Sequence, residues 1–152
     1  MKKNILSLLA VASLIFSTSS CNSDDSDSPE VIVEITELPE QSRTFLETNF
    51  NGFLVNRVTK DISSIDEYYE IFINNGITID FNQTGEWTEV DGNGQSIPTG
   101  FIDEDIVNYT SMNFPSFPIE NIDKKLYGYD VDLTNNTELR FDTSGNYIGL
   151  GN

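Results

Sequence analysis

The chain has 152 residues, 25 acidic and 8 basic, with a net charge of −17, no histidine and a single cysteine. That balance repels phosphate backbones and anionic lipid heads, which argues against nucleic acid as a partner. The absence of histidine and of a second cysteine removes His-containing triads, His/Cys zinc sites and internal disulfides.

Residues 1–20 read as a lipoprotein signal peptide. Lys2 and Lys3 form a basic start, Ile5–Phe16 an apolar run and Ser17–Ser20 a small polar end. The run is too short to span a bilayer, which takes about 20 residues, and no later segment approaches that length. Cys21 follows at once, in a position that resembles the lipid-acceptor cysteine of bacterial lipoproteins. Thr18 stands where that motif most often has Leu, and the competing reading is an incidental cysteine beside an ordinary cleavage site. Acylation would hold Cys21 on a membrane, at about 0.8 kcal/mol per buried methylene. It would also leave no free thiol for nucleophilic chemistry. Loss of Lys2 and Lys3 with the leader leaves 6 basic against 25 acidic residues, a charge of −19.

Residues 21–37 are expected to form an acidic tether. Asn22–Glu30 is Ser- and Asp-rich and lacks an apolar anchor, so it buries too little to fold. Cys21 followed closely by Ser-Asp-Asp resembles the export signal of lipoproteins displayed outside the outer membrane; a plain linker is the alternative. The expected location is the outer membrane, facing the cell surface or the periplasm. Val31–Thr36 alternates weakly and reads either as an edge strand or as the end of the tether.

Leu38-Pro39 opens a helix, with Pro39 at its first position, where an N–H is not needed. Leu38, Ser42, Phe45, Leu46 and Phe50 fall on one helical face, and Asn51-Gly52 ends it. Phe53–Asp61 reads as a strand with a bulge between Val55 and Val58. Tyr69, Ile71 and Ile73 alternate with Glu70, Phe72 and Asn74, the mark of a half-buried strand. Asn75-Gly76 turns the chain, Ile77, Ile79 and Phe81 line the return strand, and Glu86–Val90 makes a fourth. The polar, glycine-rich Asp91–Ser96 marks a boundary.

The plan then recurs. At an offset of 60, Tyr69–Trp87 matches Tyr129–Tyr147 without a gap: Ile71 meets Val131, Ile79 meets Leu139, Phe81 meets Phe141 and Gly85 meets Gly145. Ile97-Pro98 echoes Leu38-Pro39 and precedes a longer helix carrying Ile102, Ile106 and Tyr109, which stops before Pro115. Ile119 and Ile122 match Val55 and Val58 at a slightly larger offset, a difference assigned to turn and helix length. The expected fold is α+β: two tandem repeats, 38–92 and 93–152, each a helix packed on a four-stranded antiparallel meander, with the sheets side by side. Units of this size are marginal alone, so a shared core is expected.

These residues resemble a family. Leu-Pro, an amphipathic helix to Asn49-Phe50, then Tyr-Glu-Ile…Asn-Asn-Gly…Ile-Asp-Phe…Gly-Glu-Trp at 69–87, followed by Ile-Pro and a second round, is similar to the PepSY-like, β-lactamase-inhibitor-like lipoproteins. The resemblance spans Leu38 to Leu150 and implies helices packed on an antiparallel sheet. Its suggestion of inhibition or peptidase regulation rests on fold analogy. The second round departs from the pattern, with Asn136-Thr137 for Gly76-Ile77 and Tyr147 for Trp87. That counts against two equivalent binding surfaces.

No catalytic, cofactor or metal site is expected. Asp80-x-Asn82-x-Thr84-Gly85 fits the first half of a calcium loop, but Arg140 replaces Asp80 in the second round and a tight turn accounts for the residues. Asp91–Gln95 is a weaker version. Carboxylate pairs for glycoside hydrolysis carry no information among 25 acids. Phe72, on the sheet face opposite Tyr69, Ile71 and Ile73, and Trp87 are the candidate partner-binding residues. For each the structural alternative is burial, Phe72 under Val31–Thr36 or by curvature of the sheet and Trp87 at the repeat junction. The expected activity is a non-catalytic, lipid-anchored envelope protein whose open sheet face binds a protein, a peptidase or another envelope component. A carbohydrate-binding accessory lipoprotein is the alternative, with the same two rings as stacking platforms.

Overall fold

The computed structural model describes residues 30–64 and 66–151; the leader, Cys21 and Asn22–Pro29 lie outside them. Nine strands form one sheet: β1 Val31–Ile32, β2 Val55–Lys60, β3 Tyr69–Ile73, β4 Thr78–Phe81, β5 Trp87–Asp91, β6 Ile119–Lys125, β7 Gly128–Leu133, β8 Thr137–Asp142 and β9 Tyr147–Leu150. Their spatial order is their chain order, and all neighbours are antiparallel. Two ten-residue helices interrupt the meander, α1 Glu40–Asn49 before β2 and α2 Glu104–Asn113 before β6.

Side-chain alternation along each strand decides what the sheet buries. Val58, Ile71, Ile79, Val90, Ile122, Val131 and Leu139 pair in unbroken register from β2 to β8, and all seven are buried. The helices cover this side. Phe45 of α1 meets the Phe81 ring edge-on, and Tyr109 of α2 meets Phe141 in the same way. Between β5 and β6 the pairs Glu89↔Asp123, Val90↔Ile122 and Asp91↔Asn121 carry the sheet from one helix-and-strands run into the next.

Each helix start is seated on a strand turn. Ser42, fully buried, donates its hydroxyl to the Gly85 carbonyl at 3.1 Å. Gly85 has φ +90°, and a Cβ there would stand 2.6 Å from Cβ of Pro39. Gly145, φ +75°, meets Asp103 and Asp105 at the start of α2, where the Asp103 carboxylate caps the Asp105 N–H at 2.9 Å. The Asn75-Gly76 turn returns as Asn135-Asn136, with Asn136 at φ +62° against +93° for Gly76. Asparagine tolerates that conformation better than other side chains.

Several expectations shift. Pro39 is the residue before α1 rather than its first helical one. Val31–Thr36 splits into the short edge strand β1 and the start of a 3-10 turn, Ile35–Glu37, so it extends the sheet edgewise and does not cover the open face. α2 is no longer than α1; Ile102 lies in the turn ahead of it, bonded through its N–H to the Thr99 carbonyl. The offset difference resides in the turn and not in helix length. Residues 61–68 separate β2 from β3, whereas only Leu126 and Tyr127 separate β6 from β7. An exposed connection absorbs four residues at little cost; a packed helix does not.

Because one sheet spans both runs, Ile122→Ala at the β5–β6 seam is expected to cost about 2–5 kcal/mol and to lower stability throughout the chain. Urea unfolding followed by Trp87 fluorescence and by hydrogen exchange in β8 should give coincident midpoints in both wild type and variant. Separated midpoints would mean that the seam does not couple the runs.

Candidate functional site

The residue beside each member of the apolar row points to the other face. Glu70, Asp80, Glu89, Asp123 and Asp130 are therefore also in register, one per strand across β3 to β7. Adjacent strands lie about 4.8 Å apart, so these carboxylates are near neighbours. Thr59 closes the row on β2 and Arg140 on β8. The next row reads Arg57, Phe72, Thr78, Asp91, Asn121, Asp132 and Glu138. Among the described residues, no helix covers either row.

Compensating charge sits at the margins. Arg140 reaches Asp130 at 3.4 Å and Glu138 at 3.3 Å, and Lys125 pairs with Asp123. Among the described residues no salt bridge reaches Glu70, Asp80 or Glu89. Glu89 accepts from the Asn121 amide at 2.7 Å. Burial, followed by repulsion from Glu70 and Glu89, pushes the Asp80 carboxyl up to about 8, so at neutral pH it holds a proton. Glu70 and Glu89 are also raised, chiefly by burial, as is Asp132 in the second row. A concavity of about 400 Å³ opens beside that row, lined by Asp91, Glu120, Asn121, Asp132, Asn136 and Glu138. Among the described residues, no three carboxylates converge closely enough to hold a metal ion.

The two rings singled out in the sequence are not brought together. Phe72 is on the open face, half-buried, with the Arg57 guanidinium 3.8 Å over its ring. Trp87 is on the helix side, stacked between Phe45 and Tyr129 and edge-on to Phe101, with the Lys124 ammonium 3.9 Å from its ring. Cys21 lies outside the described residues. The calcium-like residues make turns: the Asn82 side-chain oxygen Oδ1 accepts from the Thr84 and Glu86 N–H groups, and the Asp142 carboxylate does the same for Ser144 and Asn146. In Asp91–Gln95 the Asp91 carboxylate accepts from the Asn93 N–H, and Asn93 and Gln95 fasten the loop to the β3–β4 turn.

The carboxylate rows were not singled out from sequence, although their signal was present. Every member of the first row adjoins a core aliphatic, as in Glu70-Ile71, Ile79-Asp80, Glu89-Val90, Ile122-Asp123 and Asp130-Val131. Pairing the apolar residues across a meander aligns the acids with them.

A family model described as "putative beta-lactamase-inhibitor-like, PepSY-like" matches residues 67–149, more than half of the chain. The chain belongs to this PepSY-like family. Three solved structures share its fold. A putative calcium-regulated periplasmic protein from Bacteroides thetaiotaomicron is 28% identical with a TM-score of 0.75, over 81% of this chain and 97% of that one. A putative periplasmic protein of unknown function from Bacteroides vulgatus is 28% identical with a TM-score of 0.73, over 82% and 100%. A second from the same organism is 26% identical with a TM-score of 0.73, over 84% and 100%. No curated protein matches the sequence. The PepSY-like match covers β3 through most of β9, and so includes the whole carboxylate row.

A carboxyl with a folded pKa above its unfolded value favours the native state while protonated. That contribution is full below the unfolded value and is lost as pH rises through the folded one. For Asp80 the window runs from 3.8 to about 8. Asp80→Asn is therefore expected to raise Tm at pH 9, by about 2–4 °C for each kcal/mol recovered, and to change it little at pH 4. Thermal melts of both proteins across this range check it; an equal shift at both pH values would contradict a carboxyl raised by burial and by its acidic neighbours.

Proposed function

We propose that the protein is a non-catalytic, lipid-anchored binding module of the cell envelope whose open carboxylate face receives a basic segment of another envelope protein. The observation that carries this reading is the in-register row Glu70–Asp80–Glu89–Asp123–Asp130, whose first three members have no salt-bridge partner among the described residues. A sheet gains nothing by aligning like charges, whereas a cationic ligand gains from the ionised members together and favours ionisation of Asp80 between them. Such complementarity governs encounter rate and selectivity more than raw affinity.

The envelope address draws on the leader and Cys21, and on the periplasmic descriptions of the three structural neighbours. Two side-by-side copies of one helix-and-meander unit form part of the same proposal. Its support is the recurrence of element order, of bulges opposite β3 and β7, and of surroundings: Tyr69 pairs with Lys60 and Phe81, Tyr129 with Lys124 and Phe141. The glycan alternative loses its platform, because Phe72 and Trp87 occupy opposite faces.

The test separates the face from overall charge. Neutralising Glu70, Glu89 and Asp123 as Glu70→Gln, Glu89→Gln and Asp123→Asn is expected to weaken binding of a labelled Lys-rich peptide by about tenfold. Neutralising exposed Glu40, Glu47 and Glu104 on the helices, an equal change in net charge, should leave it within about twofold. Added salt should weaken the wild-type complex, and added calcium reports whether the ion competes for the face. Equal losses from both triple variants would reduce the row to bulk acidity and remove the proposal.

A further inference from the structure

β1 runs antiparallel to β2 with Val31 opposite Lys60, so the chain enters the sheet at the end where β2 leaves for β3 and β6 turns into β7. Those two connections stand side by side around a concavity of about 370 Å³ lined by residues that include Asp66, Glu67, Asp123, Lys125 and Leu126. Tight-turn tips ordinarily carry small or polar residues. Here the β6–β7 tip is Leu126-Tyr127, with Leu126 at 106% exposure and Tyr127 at 42%. Lys124 and Lys125 directly precede it, and Lys60 ends β2 on the same side. Ile62, in the neighbouring connection, is 69% exposed.

An apolar tip, an amphipathic tyrosine and lysines with long stems form the residue set that settles at a lipid–water boundary. The chain outside the structure points the same way. From Cys21 to Glu30 is nine residues, at most about 30 Å when extended. An acyl group on Cys21 would therefore keep this end of the sheet close to the bilayer.

We infer that the β6–β7 tip, through Leu126 and Tyr127, rests on the lipid–water interface of the membrane that carries the anchor, with the strands directed along the membrane normal. The inference depends on the lipid-anchor reading above. The contact is shallow, because Asp61, Asp66 and Glu67 in the adjacent connection stay in water. With the strands upright, the carboxylate face stands perpendicular to the bilayer and remains accessible.

The test joins the chain from Cys21 onward, through its only cysteine, to maleimide-headgroup lipid in phosphatidylethanolamine–phosphatidylglycerol vesicles. Amide exchange at residues 124–128 is expected to slow by about tenfold on the vesicle. The turns at 74–77 and 134–136, at the far end, should not change. Leu126→Ser with Tyr127→Ser, both at exposed positions, should abolish the protection while coupling persists. Equal exchange at 124–128 on and off the vesicle, or protection at the far end instead, would overturn the contact. The mass of the chain purified from native membranes reports on the anchor separately: a mature protein without acyl mass would sink that reading, whatever the exchange data show.

Discussion

The fold depends on one continuous line of aliphatic contacts. Val58 through Leu139 pair strand by strand, and Val90 against Ile122 is the link that crosses between the two helix-and-strands runs. Fully burying each such side chain contributes about 1.5–3 kcal/mol. A run with one helix and four strands has too little interior to stand alone at comparable stability. Joined at β5 and β6, the two runs need no separate interface, because backbone hydrogen bonds and packing already continue through the seam.

That line also explains the opposite face. In an antiparallel sheet, register is common to both sides, so aligning the aliphatics aligns whatever stands next to them. Evolution could have filled those positions with threonine or with alternating charges, which pair favourably across strands. Five carboxylates stand there instead, flanked by arginines only at the margins, Arg57 on β2 and Arg140 on β8. The strain is relieved locally by protonation: Asp80, between two other acids and largely buried, keeps its proton at neutral pH. A bound cationic group would favour release of that proton, so occupancy of the face and its ionisation are linked.

Much of the architecture was legible because it follows period. The alternation in Tyr69–Ile73 and the three-and-four spacing of Leu38, Ser42, Phe45 and Leu46 gave strand and helix directly, and the 60-residue match of Tyr69–Trp87 to Tyr129–Tyr147 set the order of the later strands. What failed were lengths governed by packing. α2 stops at the same length as α1 because Ile102 is used by the preceding turn. The site was less legible. A search for pairs among 25 acids has no contrast, and Phe72 and Trp87 drew attention as rings even though nothing local records that a bulge places Trp87 on the helix side. Register is a non-local property, and the carboxylate row exists only once register is known.

The chemistry of the face constrains the kind of binding it supports. Its central positions are carboxylate, amide and hydroxyl, with Arg57 and Arg140 at the margins, and the ring of Phe72 is already covered by Arg57. Tight protein interfaces draw most of their energy from desolvated aromatic and arginine anchors at the centre, and this face has none of its own to offer. On the binding-module reading, the anchors must come from the partner, as arginine or lysine side chains laid across the strands. Their attraction acts over roughly the 8 Å Debye length at physiological salt, favouring fast capture and fast release. A membrane-tethered module suits that regime, since confinement to a surface raises the effective concentration of any partner held there. On the anchored reading, the tether supplies retention that the face alone does not.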